Sequence, residues 1–146
     1  MTYYELVNYL DDMITSPISD NDIDKIANAD ISLNGRRYDR FIVQVNYFMT
    51  ERLGYILDNT ISKIKNSTFS SDELALEMSI INNEIKLLKK FINVKHIKEE
   101  NREAFKLSLK NNVNNMLGSL KSFFIDEEKI RIINQYVIKE NEKDEL

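Results

Sequence analysis

Apolar residues recur along this chain at intervals of three and four, the spacing that places side chains on one face of an α-helix. In the first segment the stripe is Tyr3, Leu6, Val7, Leu10, Met13 and Ile14, and Thr2 with Glu5 makes the Thr-x-x-Glu pattern in which side chain and backbone cap each other. Ser16-Pro17 ends this helix, because proline lacks the amide hydrogen and pushes the residue before it out of the helical region. Ser19 predicts the next start. Asp20 and Asp22 fall in its first turn, where carboxylates favour the positive end of the helix dipole, and Ile18 with Ile23 occupies the hydrophobic-staple positions. This short helix is expected to run to about Asp30.

Asn34-Gly35 predicts a turn. The third helix follows over about 36–65, with the stripe Tyr38, Phe41, Ile42, Val45, Phe48, Met49, Leu53, Ile56, Thr60 and Ile64. At 1.5 Å per residue it spans on the order of 45 Å. Ser70-Ser71-Asp72-Glu73 opens the fourth helix, about 70–96, whose Leu74, Met78, Ile81, Ile85, Leu88 and Ile92 alternate steps of four and three as in a coiled coil. A second stripe of Ile80, Leu87, Phe91 and Val94 widens its face, so that one stripe can meet the third helix and the other something else. The fifth helix, about 99–124, carries Phe105, Leu109, Val113, Met116, Leu117, Leu120 and Phe123. The last begins at Asp126, with Ile125 and Ile130 as staple partners and Ile130, Ile133 and Val137 inward, before a charged tail at 139–146 that is expected to fray.

The fold class this pattern predicts is all-α: a single-domain up-and-down helical bundle of three long helices (about 36–65, 70–96 and 99–124) with shorter helices at the N- and C-termini. No stretch rich in Gly, Ser or Pro divides the chain, and no repeat of about 20 to 50 residues recurs, so neither a second domain nor a solenoid is expected.

Composition narrows the chemistry. The 146 residues include three Gly, one Pro and one His, and neither Cys nor Trp. So few turn formers argue against a β fold with many turns. Without cysteine there is no disulfide, thiolate nucleophile, zinc finger or iron–sulfur site, and one His cannot build an imidazole cage. A net charge of -4 argues against a general nucleic-acid binder. No uncharged apolar run approaches the roughly 18 residues of a membrane span, and Met1-Thr2-Tyr3-Tyr4-Glu5-Leu6 lacks the basic region of a signal peptide. A cytoplasmic location is expected. Lys143-Asp144-Glu145-Leu146 spells the endoplasmic-reticulum retention address, read here as a coincidence for want of an entry signal. Abundant Asn, Ile and Lys suggest an A/T-rich coding sequence, as in low-GC bacteria, phages and large DNA viruses.

Several short motifs read as structure. Asp20-Asn21-Asp22-Ile23-Asp24 begins like a calcium loop, but Lys25 and Ile31 stand where an EF-hand needs Gly and a bidentate Glu. His96 has no second His and no Glu-x-x-His spacing, and Glu99, Glu100 and Glu103 read as first-turn acids. A helix-turn-helix over 22–41 with Ala27 at the small position puts Asp30 and Ser32 where apolar residues belong. There is no Gly-rich phosphate loop, Gly-x-Ser-x-Gly elbow or His-Glu-x-x-His, and a carboxylate pair on separate helices would be invisible at this level. No family is recognised, and no cofactor, metal or catalytic set is expected: the chain reads as a non-enzyme. Gly54 and Gly118 lie inside helices beside the apolar stripes, where close approach of helices would explain them.

Two functional readings remain. The first is a small protein-binding module (adaptor, inhibitor, immunity protein or chaperone) whose partner is another protein or a second copy of the chain. Its interface candidates are Tyr3, Tyr4, Tyr9, Ile80, Leu87, Phe91 and Val94; Tyr47, Tyr55 and Tyr136 also lie off or at the edge of the stripes. The second is a nucleic-acid-binding regulator using Arg36, Arg37 and Arg40 at a helix start, with Arg52 further along, as an anion or partner site. Against it, the seven acids of residues 1–35 could absorb this charge by internal pairing.

Overall fold

Side-chain caps set four of the helix starts in the computed structural model, which describes residues 1–66 and 68–138. Thr2 Oγ1 accepts the Glu5 amide at 3.1 Å while the Glu5 carboxylate accepts the Thr2 amide at 3.3 Å. The same reciprocal box joins Ser19 to Asp22 and Ser70 to Glu73. Asp126 caps a fourth start through the Glu128 amide at 2.9 Å. Among the described residues the chain forms α1 (Tyr3–Asp12), α2 (Asp20–Ala27), α3 (Arg36–Asn66), α4 (Ser71–Ile92), α5 (Glu99–Lys121) and α6 (Glu127–Asn134), with no strand. The charged tail expected at 139–146, with Lys143-Asp144-Glu145-Leu146, lies outside the described residues.

Five helices end earlier than periodicity predicts, among them α1 at Asp12, short of Ser16-Pro17, and α6 at Asn134, short of Val137. α4 stops at Ile92 instead of 96. The Arg102 guanidinium donates to the carbonyls of Ile92 at 3.2 Å, Val94 at 3.3 Å and Ile97 at 2.9 Å, holding 93–97 in turns while Val94 and Ile97 stay buried. α5 stops at Lys121 instead of 124, where the Ser122 hydroxyl donates to the Ser119 carbonyl at 2.6 Å. α2 stops at Ala27 instead of 30, and the carbonyls of Ile26 and Ala29 turn toward His96. The expected staple of Ile125 with Ile130 is not formed, since Ile125 is fully exposed.

The buried side chains form one continuous cluster drawn from all six helices. α3, α4 and α5 contact one another, α1 lies on α3, α2 lies on α4, and α6 lies on α4 and α5. Phe48 and Phe91, both fully buried, meet edge to face with centroids 5.6 Å apart. The acidic N-terminal third is docked: the Tyr9 hydroxyl donates to Asp22, Lys90 reaches Asp20 at 3.0 Å and Asp24 at 3.2 Å, and Gln44 donates to Asp11. Beyond α6, the Asn114 amide pairs with both backbone groups of Ile138 at 2.8 and 2.9 Å, as a neighbouring strand would.

Gly35, at φ +57°, takes the left-handed turn into α3 and accepts the Asp39 amide at 3.1 Å. Gly54 and Gly118 do not record the close approach of helices expected of them. Both are exposed, and a Cβ added at either meets no heavy atom within 4 Å. Gly54→Ala and Gly118→Ala are each expected to stabilise the protein by about 0.4–1 kcal/mol, because alanine restricts the unfolded chain at no steric cost. Urea titration checks this: the midpoint rises at unchanged slope.

Candidate functional site

One face of α3 points away from the core. Arg36, Arg40, Val43, Tyr47, Glu51 and Asp58 follow at helical spacing, while Phe41, Val45, Phe48 and Arg52 turn inward. α1 lies alongside in the same direction: Tyr3 shares a cavity with Arg40, Asp11 bonds Gln44, and the Ile14 carbonyl reaches Arg52. α1 spans ten residues against thirty-one for α3 and commits Leu6 and Leu10 to the core, so it covers only part of this face. The result is a groove of two adjoining cavities that share Val43 and Gln44. One, of about 600 Å³, is lined by Asp11, Ile14, Thr15, Val43, Gln44 and Tyr47; the other, of about 370 Å³ and open to solvent, is lined by Val43 and Gln44 with Tyr3, Asp39 and Arg40. Val43 is 70% exposed and Tyr47 50%.

Arginines crowd one end of the groove, with Asp39 among them and Asp11 beside its centre, and acids stand at the other end. Arg36, Arg37 and Arg40 are exposed and, among the described residues, have neither a hydrogen bond nor an ion pair. Five of the seven acids upstream are engaged elsewhere: Asp20 and Asp24 with Lys90, Asp22 with Ser19 and Tyr9, Glu5 with Thr2, Asp11 with Gln44. At the far end Glu51 and Asp58 are exposed and equally without partners among the described residues.

Of the other residues singled out from sequence, Arg52 does not join the arginine cluster. Sixteen residues beyond Arg36, about 24 Å along the helix, it is 4% exposed, and its Nη2 lies 2.6 Å from Glu84 Oε1 while Nη1 donates to the Ile14 carbonyl at 2.9 Å. Phe91 and Val94 are core residues, because α2, α3, α5 and α6 all pack on α4. Of the second α4 stripe, Leu87 is half-buried and Ile80 is exposed, next to exposed Leu76. Tyr3 lines the groove, and Tyr4, largely exposed, meets its ring edge to face at 5.6 Å. Tyr9 is half-buried; burial and then the Asp22 carboxylate push its hydroxyl up to about 12, and the Tyr9 hydrogen bond holds Asp22 below the usual carboxylate range. Val43, at the centre of the groove, was not among the residues singled out. The signal was there in the spacing 36, 40, 43, 47, 51, which lies beside the core stripe.

No family model matches this chain, and no curated protein or solved structure is found similar to it.

His96 lies apart from the groove, against the end of α2. Its Nε2 is buried without a partner among the described residues, and burial, followed by the charge of Lys95, lowers its pKa from 6.5. The fold thus favours neutral imidazole, whereas the unfolded chain takes up a proton near pH 6.5. The stability this contributes is complete above that pH and declines as pH falls below it. Thermal melts of the wild type and His96→Gln should keep a constant difference above about pH 7 and drift in favour of the variant toward about pH 5.

Proposed function

We propose that this chain is a small non-enzymatic protein-binding module, an adaptor, inhibitor, immunity protein or chaperone, that docks its partner on the α1–α3 face. The observation that carries this is the exposure of Val43 and Tyr47 in the groove beside unpaired arginines. Tyrosine and arginine are the residues by which protein interfaces differ from other surface, and apolar groups grouped in a concavity gain most from being covered. The same proposal includes a single domain built as an up-and-down bundle. Arg52 meeting Glu84 and Lys63 meeting Glu77 support opposed directions for α3 and α4, and Tyr38 meeting Asn101 supports a common direction for α3 and α5. A cytoplasmic location goes with this reading; no helix among the described residues is long and apolar enough to cross a membrane.

The test is retention of proteins from host extract on immobilised wild type, Val43→Glu and Leu107→Glu, the last an exposed control on α5. A protein kept by the wild type and by the control but lost with Val43→Glu supports docking here. If no retained protein depends on Val43, the reading falls.

A second reading, nucleic-acid binding, is favoured by one observation: Arg36, Arg37 and Arg40 lie exposed within two turns of one helix with no internal partner among the described residues. It requires affinity that drops steeply with salt and disappears when all three become alanine. A low-salt gel-shift assay with duplex and single strand in which neither is retarded removes it.

A further inference from the structure

We infer that the occupant of the α1–α3 face is a second copy of this chain, packed antiparallel about a two-fold axis that passes between Val43 and Tyr47. The inference rests on the reading of that face as a docking surface and names its partner. Along α3 the outward stripe is Arg36, Arg40, Val43, Tyr47, Glu51 and Asp58: two cations, two apolar groups and two anions, with Asp39 at its edge beside Arg40 as one anion out of this order. A stripe with this order is its own complement when reversed. From the midpoint of Val43 and Tyr47, Arg40 lies about 7.5 Å toward one end and Glu51 about 9 Å toward the other, at 1.5 Å per residue. A two-fold axis at that midpoint therefore puts each Arg40 within reach of the other copy's Glu51. It sends each Arg36 past the other copy's Gly54, which offers no side chain to obstruct it, toward Asp58. At the centre, Val43 of each copy covers Tyr47 of the other.

A parallel arrangement would set cations against cations. The antiparallel one closes after two copies, as an isologous interface must. The exposed pair Leu76 and Ile80 on α4 lacks this order: exposed Glu73 precedes it, while Glu77 and Glu84 are already paired with Lys63 and Arg52, so no cation and anion stand at its opposite ends. Two apolar residues per copy make a small contact, so the equilibrium is reversible and depends on concentration.

Sedimentation velocity of the full chain over a wide concentration range tests this directly. The wild type should pass from monomer to dimer. Arg40→Glu gives a chain with acids at both ends of the stripe, and Glu51→Arg one with bases at both ends. Each alone should dimerise at a concentration about tenfold or more higher, since two attractive contacts become repulsive. Mixed in equal amounts, the two variants should pair with each other, because every contact across the axis is then between opposite charges. Both substitutions are at exposed positions, and unchanged helical circular dichroism confirms that each variant is folded.

A wild type that is monomeric at every concentration, or two variants that do not rescue each other, overturns the inference. The wider docking reading fails separately, if no retained protein depends on Val43.

Discussion

Phe91→Ala is expected to lower the free energy of unfolding by about 3–5 kcal/mol, with the denaturant midpoint falling at nearly constant slope. Its ring is fully buried, and it packs edge to face on Phe48, 5.6 Å away, at the junction of α3 and α4. Truncation removes that aromatic contact and leaves a cavity lined by helices that neighbours on four sides prevent from closing in. Against a total of about 5–15 kcal/mol for a typical domain, this is a large share. Phe91→Leu should recover most of the loss because it refills most of the volume. Val43→Ala should change stability little, since the side chain is mostly in solvent. A Phe91 that acted as a docking residue would show the reverse pattern: unaltered stability and impaired association.

The contrast between Phe91 and Val43 shows what could be read from sequence. Caps at Thr2, Ser19, Ser70 and Asp126 involve residues two or three apart, so the starts of four helices were legible. The inward stripes of α3, α4 and α5 were legible for the same reason, except that Phe123 lies beyond α5 and is exposed, as is Ile80 of the second α4 stripe. Helix ends were not, where they depend on a group arriving through space. Nothing near residue 92 announces that Arg102 will take its carbonyl. The double stripe of α4 was visible, but not what its second half would meet. The missing cover is α2 and α6, short helices whose docking sites on α4 no local pattern specifies. The arginine cluster was legible as a charge, though its freedom from pairing became clear only once Lys90, Ser19, Tyr9 and Gln44 had engaged most of the upstream acids. Val43 and Tyr47 are exposed because α1 is short and lies to one side, which is a fact of packing and not of spacing.

Arg52 carries the second large effect. Its guanidinium is nearly free of solvent and is answered by the Glu84 carboxylate at 2.6 and 3.3 Å and by the Ile14 carbonyl at 2.9 Å. Glu84→Ala should therefore cost about 3 kcal/mol, at the lower end for a buried pair because the Glu84 side chain keeps 20% exposure. Most of that loss comes from stranding a buried cation, not from the strength of the pair. Arg52→Met combined with Glu84→Leu, which removes both charges, should accordingly recover to within about 1–2 kcal/mol of the wild type. The recovery has a local exception. Neither apolar side chain can donate to the Ile14 carbonyl, so the double variant should exchange amide hydrogens faster just beyond the end of α1 while the core of α3, α4 and α5 stays protected. Ile14 and Thr15 line the larger cavity of the groove. An arginine read from sequence as part of an anion or partner site with Arg36, Arg37 and Arg40 thus serves the docking face from behind, by fixing the segment that forms one of its walls.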